Sequence, residues 1–281
     1  MNEGSRYVLV TGASRGLGYQ MAQALAGDGF TVFAGVRSPA DFARMAAASP
    51  NVVPLHLDVT DAAQITEAVR TVSARTDTLD GLVDNAGVFV PGPFEQLPMT
   101  DLVDTFRVNV FGVVAVTQAF LPLVRKASGR IVLISSVNGR LSGPGVSAYS
   151  ASKFALTALA DAMRLELEPW GVRTILVEPG ALATDIRVRG IDQWEARQGA
   201  LPAGRRELYA PLLSKWKAVL DGMDSTAGSP DFAVAAVREA LTSPAPRTRY
   251  VAAPNAEQLL ALIALPDEER DRALASMFGR S

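Results

Sequence analysis

The 281-residue chain contains no cysteine. That excludes disulfides and thiolate metal sites, and it fits a cytoplasmic location. Histidine is nearly absent too. The single one, His56, lies in the apolar run 52–57, where it reads as a strand residue rather than a base or ligand. No metal site is therefore expected. Lysine occurs only at positions 126, 153, 215 and 217, and the formal net charge is -2. Without a basic stripe, nothing points to nucleic acid or an acidic membrane surface as partner. Long hydrophobic runs are missing as well. The most apolar window, Val110 to Val124, is broken by Gly112, Thr117, Gln118 and Pro122, and reads as too short and polar to span a bilayer. The polar stretch Met1 to Arg6 leads straight into a strand pattern, unlike a signal peptide. No linker, repeat or low-complexity run divides the chain, so residues 1–281 are expected to form one domain.

What the chain does contain is organised around Tyr149 and Lys153, four residues apart at the start of a long helical pattern. Side chains at i and i+4 share a helix face, so a phenol and an ammonium can occupy one small volume. A free tyrosine has a pKa of about 10, and holding its phenolate at neutral pH costs roughly 4 kcal/mol. A nearby cation lowers an acid's pKa by roughly one to three units, so Lys153 is expected to bring Tyr149 toward the range of useful proton transfer.

Apolar runs with strand character recur at 7–10, 31–37, 51–57, 79–83, 130–135, 172–177 and 249–251, separated mostly by helical patterns. This alternation predicts an α/β fold: a doubly wound, Rossmann-type domain with a parallel sheet of about seven strands. The first strand runs into Thr11-Gly12-Ala13-Ser14-Arg15-Gly16-Leu17-Gly18. Its glycines permit a tight turn and close backbone approach, and the helix start that follows offers N–H groups to a pyrophosphate. The tip of the second strand carries Arg37, and no acid appears before Asp41. With Arg15 in the loop, two guanidiniums suit a ribose 2′-phosphate, which makes NADP(H) the expected cofactor. Asn85-Ala86-Gly87 follows the fourth strand, at the sheet edge where such folds place ligands. Asn109 interrupts an apolar helical pattern running from Thr100 to Arg125, which suggests that its polar group has a task. Ser136 ends the fifth strand, where its hydroxyl could polarise a carbonyl. Pro179-Gly180 stops the sixth strand.

Gly12-Ala13-Ser14-Arg15-Gly16 also matches the Gly-x-Ser-x-Gly elbow of α/β-hydrolases. That class needs a histidine downstream of its serine and acid. His56 comes before most of the sheet, so the hydrolase reading ranks low.

Taken together, Thr11-Gly12-x-x-x-Gly16-x-Gly18, Asn85-Ala86-Gly87, Asn109, Ser136, Tyr149-x-x-x-Lys153 and Pro179-Gly180-x-x-x-Thr184 resemble the short-chain dehydrogenase/reductase family in order and separation. The match covers about residues 7 to 184, and the tail loosely resembles the hydroxysteroid and retinol dehydrogenase branch. The resemblance implies that Tyr149 is the general acid or base. Lys153 would lower its pKa and hold the nicotinamide ribose, Ser136 would orient the substrate oxygen, and Asn109 would order a water in a proton relay. It implies cofactor contacts at Gly12, Ser14, Arg15, Gly16, Leu17 and Gly18, at Arg37, and at Asp58 and Val59 beside the adenine. Further contacts would come from Asn85, Ala86 and Gly87 on the adenosine side, and from Pro179, Gly180, Leu182 and Thr184 near the carboxamide. Asp84 departs from the family's usual asparagine.

After Thr184 the sequence reads as irregular, then as a helix over 205–223 with Leu208, Leu212, Trp216, Val219, Leu220 and Met223 at helical spacing. The stretch 185–228 could be a substrate lid, and 255–281 reads as a helical tail. A mainly apolar cleft is expected, lined in part by Leu141 and Val146, with no arginine pair for a carboxylate. The expected activity is hydride transfer between NADP(H) and a bulky hydrophobic secondary alcohol or ketone, such as a steroid, retinoid or polyketide. The alternative is a silent NADP(H)-binding sensor or scaffold. The resemblance also implies a homodimer or homotetramer.

Overall fold

Alternation along the strands sets the architecture. In β1 (Arg6–Val10), Val8 and Val10 face one core and Leu9 the opposite one. In β2 (Phe30–Val36), Val32, Ala34 and Val36 join the first core and Phe33 the second. The same two-sided burial holds in β4 (Gly81–Asp84), β5 (Arg130–Ile134) and β6 (Arg173–Pro179). Strands buried on both faces need helices on both faces, which requires parallel pairing through helical crossovers. With β3 (Val52–His56) and β7 (Arg249–Ala252) they form a seven-stranded sheet in the order β3-β2-β1-β4-β5-β6-β7, every pair parallel. This is the expected doubly wound fold. The computed structural model describes residues 5–182, 185–198, 203–225, 227–253 and 256–277.

One face is covered by α1 (Gly16–Gly27), through Met21, Ala22 and Leu25, with α2 (Pro39–Ala48) adding Met45. The other face is covered by α3 (Ala62–Ser73), through Ile65, Ala68 and Val72. Local chemistry sets the helix starts. Ser38 caps α2 by accepting from the Asp41 N–H, with Pro39 at the first turn, and Asp61 caps α3 by accepting from the N–H groups of Ala63 and Gln64.

The pattern from Thr100 to Arg125 forms α4 (Met99–Phe106) and α5 (Val113–Lys126), joined without a break by a wide π turn, Arg107–Gly112. Within Met99–Lys126 an 18-residue window has a mean hydropathy of 1.5, long and apolar enough by composition alone to cross a membrane, where the shorter window read in the sequence was not. Half of that apolar stretch is buried inside the protein, as in a core helix. Next come α6 (Ser147–Leu167), α7 (Asp185–Gln198), α8 (Ala203–Ser225) and α9 (Asp231–Thr242). The tail forms α10 (Ala256–Ala261) and α11 (Asp267–Met277).

Two local expectations are corrected. Pro179 does not lie beyond the sixth strand but is its last residue, in register with Ala252 of β7; a proline at the last position of a strand forfeits little of the ladder. The segment after Thr184 is helical, not irregular. Its six charged residues, Asp185, Arg187, Arg189, Asp192, Glu195 and Arg197, leave Ile191 and Trp194 as the apolar pair that joins a buried cluster and Ile186 half-buried, too weak a pattern to read as a buried face.

Candidate active site

The strand order reverses between β1 and β4, and the crevice over their C-terminal ends is where doubly wound sheets take ligands. A cavity of about 330 Å³ opens there. Its floor is the glycine loop. Gly12 has φ +64, and a Cβ on it would stand 2.9 Å from the Ala86 Cα. A Cβ on Gly18 would collide with the Gly12 carbonyl oxygen. Gly16, by contrast, has φ +52 and nothing within 4 Å of its Cβ position, so this turn is open to a ligand. Thr11 and Asn85 hold the loop in place. Thr11 Oγ1 accepts from the N–H groups of Asn85 and Ala86 at 2.9 and 3.0 Å, while Asn85 Nδ2 donates to the carbonyls of Thr11 and Gly12 at 2.9 and 3.2 Å.

No described side chain caps α1 at Arg15, so the first N–H groups of α1 are left for an anion. Arg15 and Arg37, both exposed, line the same cavity. A third guanidinium, Arg44, donates to the Ser14 carbonyl and pairs with Asp41. Sequence reading missed it; its three-residue spacing from Asp41 was the only signal. The tight glycine cradle, the open turn, Arg15 and Arg37 fit a dinucleotide pyrophosphate with a further phosphate.

At the other end of the cavity stand Ser136, Tyr149 and Lys153. Ser136 follows β5, and its Oγ accepts from the Asn138 N–H at 3.1 Å and donates to the Pro179 carbonyl at 3.4 Å. Tyr149 and Lys153 lie one turn apart at the start of α6, with Nζ 5.7 Å from the phenol ring centroid. The Lys153 ammonium donates to the Ile134 carbonyl at 2.7 Å. Burial pushes the Tyr149 phenol up to about 12, against a weaker downward pull from its hydrogen bond with Ser136. Burial also pushes Lys153 down to about 8. The expectation that Lys153 makes Tyr149 acidic is therefore corrected for the ligand-free protein. Desolvation is the larger influence on the phenol, and the ammonium is directed at a carbonyl instead.

Asn109 sits in the π turn, fully buried. Its Oδ1 accepts from the Val88 N–H at 2.8 Å, and its Nδ2 donates to the Val88 carbonyl and to Ser152 Oγ, each at 3.0 Å. Ser152 Oγ in turn donates to the Tyr149 carbonyl at 2.7 Å. Both amide protons are thus engaged by protein, and a relay water would have to meet the remaining oxygen lone pair or a backbone group. The wide turn brings this carboxamide beside Gly87, where a Cβ would lie 3.4 Å from Asn109 Oδ1 and 3.9 Å from Lys153 Nζ.

Of the other expected contacts, Ser14, Leu17, Asn85, Ala86, Gly87, Pro179, Gly180 and Leu182 line the cavity. Asp58 and Val59 are not among the described residues that line it. Asp58 Oδ1 instead accepts from the N–H and hydroxyl of Thr60 at 2.9 and 2.7 Å, and Val59 is buried against Gly112. Thr184 lies outside the described residues, as do the side chains of Leu220 and Met223. His56, the residue on which a hydrolase reading would depend, stacks on Phe42 at 4.4 Å and is not among the lining residues.

The walls are mostly apolar, as expected, with Leu141, Val146, Trp216 and Val219. Three features were not foreseen. Phe89 meets the Tyr149 ring edge-on at 5.1 Å; the tail supplies Leu259, Leu274 and Met277; and α7 brings Arg187 and Arg189 to the cavity. Reading 185–198 as irregular concealed those arginines.

Known proteins share this architecture. A short-chain dehydrogenase from Streptomyces avermitilis superposes with a TM-score of 0.78 at 31% identity, covering 99% of this chain and 97% of that one. Another, from Burkholderia cenocepacia and solved in complex with NADP, gives 0.74 at 26% identity, with 98% and 99% covered. Human 17-beta-hydroxysteroid dehydrogenase type 2 is 39% identical over 212 residues, which are 72% of this chain and 54% of that protein. The chain thus spans about half the length of that relative. Residues 6–195 match the family described as short chain dehydrogenase. With the glycine cradle and the Ser136, Tyr149 and Lys153 cluster in one crevice, the chain belongs to the short-chain dehydrogenase family of nicotinamide-dependent oxidoreductases.

Proposed function

We propose that the protein is an NADP(H)-dependent oxidoreductase that interconverts a bulky, apolar secondary alcohol and its ketone. The observation that carries this reading is that one cavity joins the glycine loop, flanked by Arg15 and Arg37, to Ser136, Tyr149 and Lys153 beneath apolar walls. Support for NADP(H) over NAD(H) comes from those two arginines, from the absence of an acid at the tip of β2, and from the Burkholderia structure's bound NADP.

When bound, the nicotinamide supplies or accepts the hydride. The glycine loop and the start of α1 would hold the pyrophosphate, Arg15 and Arg37 the additional phosphate, and Lys153 the ribose. In ketone reduction the Ser136 hydroxyl orients the carbonyl oxygen, and Tyr149 delivers a proton to it. The raised pKa of Tyr149 keeps the phenol protonated at neutral pH, as a general acid requires. Donation leaves a phenolate in a desolvated cleft, and the Lys153 ammonium stabilises that charge. Asn109, through Ser152 and the Val88 backbone, fixes the turn of α6 that carries both groups. In alcohol oxidation the same groups act in reverse.

NADPH and NADH oxidation measured against a panel of hydrophobic ketones tests the assignment. Turnover with a bulky apolar ketone and a preference for NADPH are expected, and Arg37→Asp should reduce kcat/KM for NADPH at least about tenfold more than for NADH. Equal effects on the two cofactors would remove the phosphate assignment. Tight NADPH binding with no turnover across the panel would favour the sensor or scaffold instead.

A further inference from the structure

Residues 183–227 leave the sheet after Leu182 and return at Gly228, and these two ends are joined. Leu182 bridges Gly228, whose N–H donates to the Ala181 carbonyl at 3.0 Å. The position of α7 and α8 over the cleft therefore depends on contacts remote from this junction. Tyr209 Oη donates to Glu95 at 2.7 Å in an exposed contact, and half-buried Arg197 pairs with Asp101 at 2.8 Å, but polar contacts still open to solvent contribute little.

The dry contact is made by two tryptophans. Trp194 of α7 and Trp216 of α8 meet edge-to-face, with centroids 5.4 Å apart and planes at 75°. They form a small cluster apart from the two main cores, and are 7% and 3% exposed. Each is seated on a glycine. A Cβ on Gly145, at φ +77, would stand 2.9 Å from Trp216 Nε1 and 3.1 Å from its Cε2. A Cβ on Gly92, at φ +147, would stand 3.1 Å from Trp194 Cδ1. The Gly92 N–H donates to the Gly145 carbonyl at 2.8 Å, so the loops after β4 and before α6 form one platform for both indoles. Buried Trp194 Nε1 finds no hydrogen-bond partner among the described residues, so shape rather than polarity seats this ring. Trp216 lines the cavity, and Trp194 does not. Gly145 precedes Tyr149 by four residues, which sets the Trp216 wall at the chemical end of the cleft.

We propose that Trp216 is the specificity-determining wall of the substrate site, fixing how large a body the reacting carbonyl can carry, and that Trp194 positions it by bolting α7 to Gly92. This deepens the oxidoreductase reading above and rests on it for its kinetic test. The glycines are part of the device. A side chain at 145 would force the indole to shift, one at 92 would crowd its partner, and both positions hold a positive φ that glycine alone adopts freely.

Steady-state rates with cyclohexanone and with a tetracyclic steroid ketone, at saturating NADPH, test the wall. Trp216→Ala should raise the kcat/KM ratio of tetracyclic to compact ketone at least about tenfold, since removal of an apolar wall admits the larger body. Trp194→Ala should raise KM for both ketones with a smaller change in kcat, and Trp194→Phe, which keeps an aromatic edge, should restore most of the loss. A Trp216→Ala protein with wild-type circular dichroism and NADPH affinity whose ratio stays within about twofold would overturn the proposal. A binding measurement separates this from failure of the catalytic reading. In a Trp170→Phe background, which leaves Trp194 and Trp216 as the only indoles, the steroid ketone should quench fluorescence saturably, and Trp216→Phe should abolish most of that change. Quenching without turnover would sustain the wall while removing the oxidoreductase assignment. Quenching unaltered by Trp216→Phe would remove the wall.

Discussion

Asp84 is the residue whose environment departs furthest from its chemistry. It ends β4, is 2% exposed, and accepts from Thr117 Oγ1 at 2.8 Å, while Oδ1 has no partner among the described residues. Burial pushes its carboxyl up to about 7. Below about 4 the folded and unfolded chains are both protonated at this site. As pH rises toward 7, the unfolded chain releases a proton that the folded one keeps, so stability falls, and above 7 the loss is complete. Asp84→Asn, which keeps an acceptor for Thr117, should therefore stabilise the protein by an amount that grows between pH 4 and 7 and then levels off at a few kcal/mol, because each tenfold difference in proton affinity between the two states is worth about 1.4 kcal/mol. Thermal unfolding of both proteins at pH 5 and pH 8 checks this, and an equal difference in Tm at the two values would contradict it. The family's usual asparagine at this position made the departure visible in sequence. That the side chain would be wholly buried was not visible, because burial there depends on α5 closing over the strand end.

At the scale of elements, the π turn in the 99–126 helix is the feature that most directly serves the site. An extra residue in the turn carries the Asn109 carboxamide to the Val88 backbone and Ser152, and the latter holds the first turn of α6. Asn109→Ala should leave the half-buried Val88 N–H and carbonyl without their side-chain partner, at up to about 1 kcal/mol each, and should loosen the turn bearing Tyr149 and Lys153. A fall in Tm together with a fall in kcat larger than the rise in KM is expected; an unchanged Tm would show that the clip contributes nothing to stability. The seven strands were legible because Val, Ile and Leu runs ended in glycine or polar punctuation. The midhelix asparagine was legible as an anomaly, but not as a π turn, since periodicity over 100–125 is nearly the same with one residue added. Helix α7 was illegible because its inward face amounts to Ile191 and Trp194 amid charge. The arginines it brings to the cavity were lost with it. The Tyr149 pKa moves up rather than down because spacing reveals proximity, whereas the direction in which a pKa moves depends on how much water is excluded.

At the scale of the molecule, the outer face of α6 carries Ala151, Phe154, Ala158, Ala162 and Leu165 at helical spacing, all exposed. Phe154 and Leu165 are 44% and 77% exposed, and an apolar stripe of this kind supports packing of a second copy against the helix. We propose a homo-oligomer through this face. Light scattering should report a dimer or tetramer for the wild type and a shift toward monomer for Phe154→Asp, which lies beside Lys153 in sequence but is exposed. A monomeric wild type at micromolar concentration would exclude it. The larger claim is that one crevice combines a dinucleotide cradle with a phenol able to hand a proton to a substrate oxygen. Single-site replacement of that phenol, Tyr149→Phe, with NADPH affinity and ketone turnover measured on the same preparation, tests it most directly. NADPH affinity within about threefold of wild type and kcat lowered at least about hundredfold are the predicted results; near-wild-type turnover by the folded, NADPH-binding variant would contradict the account.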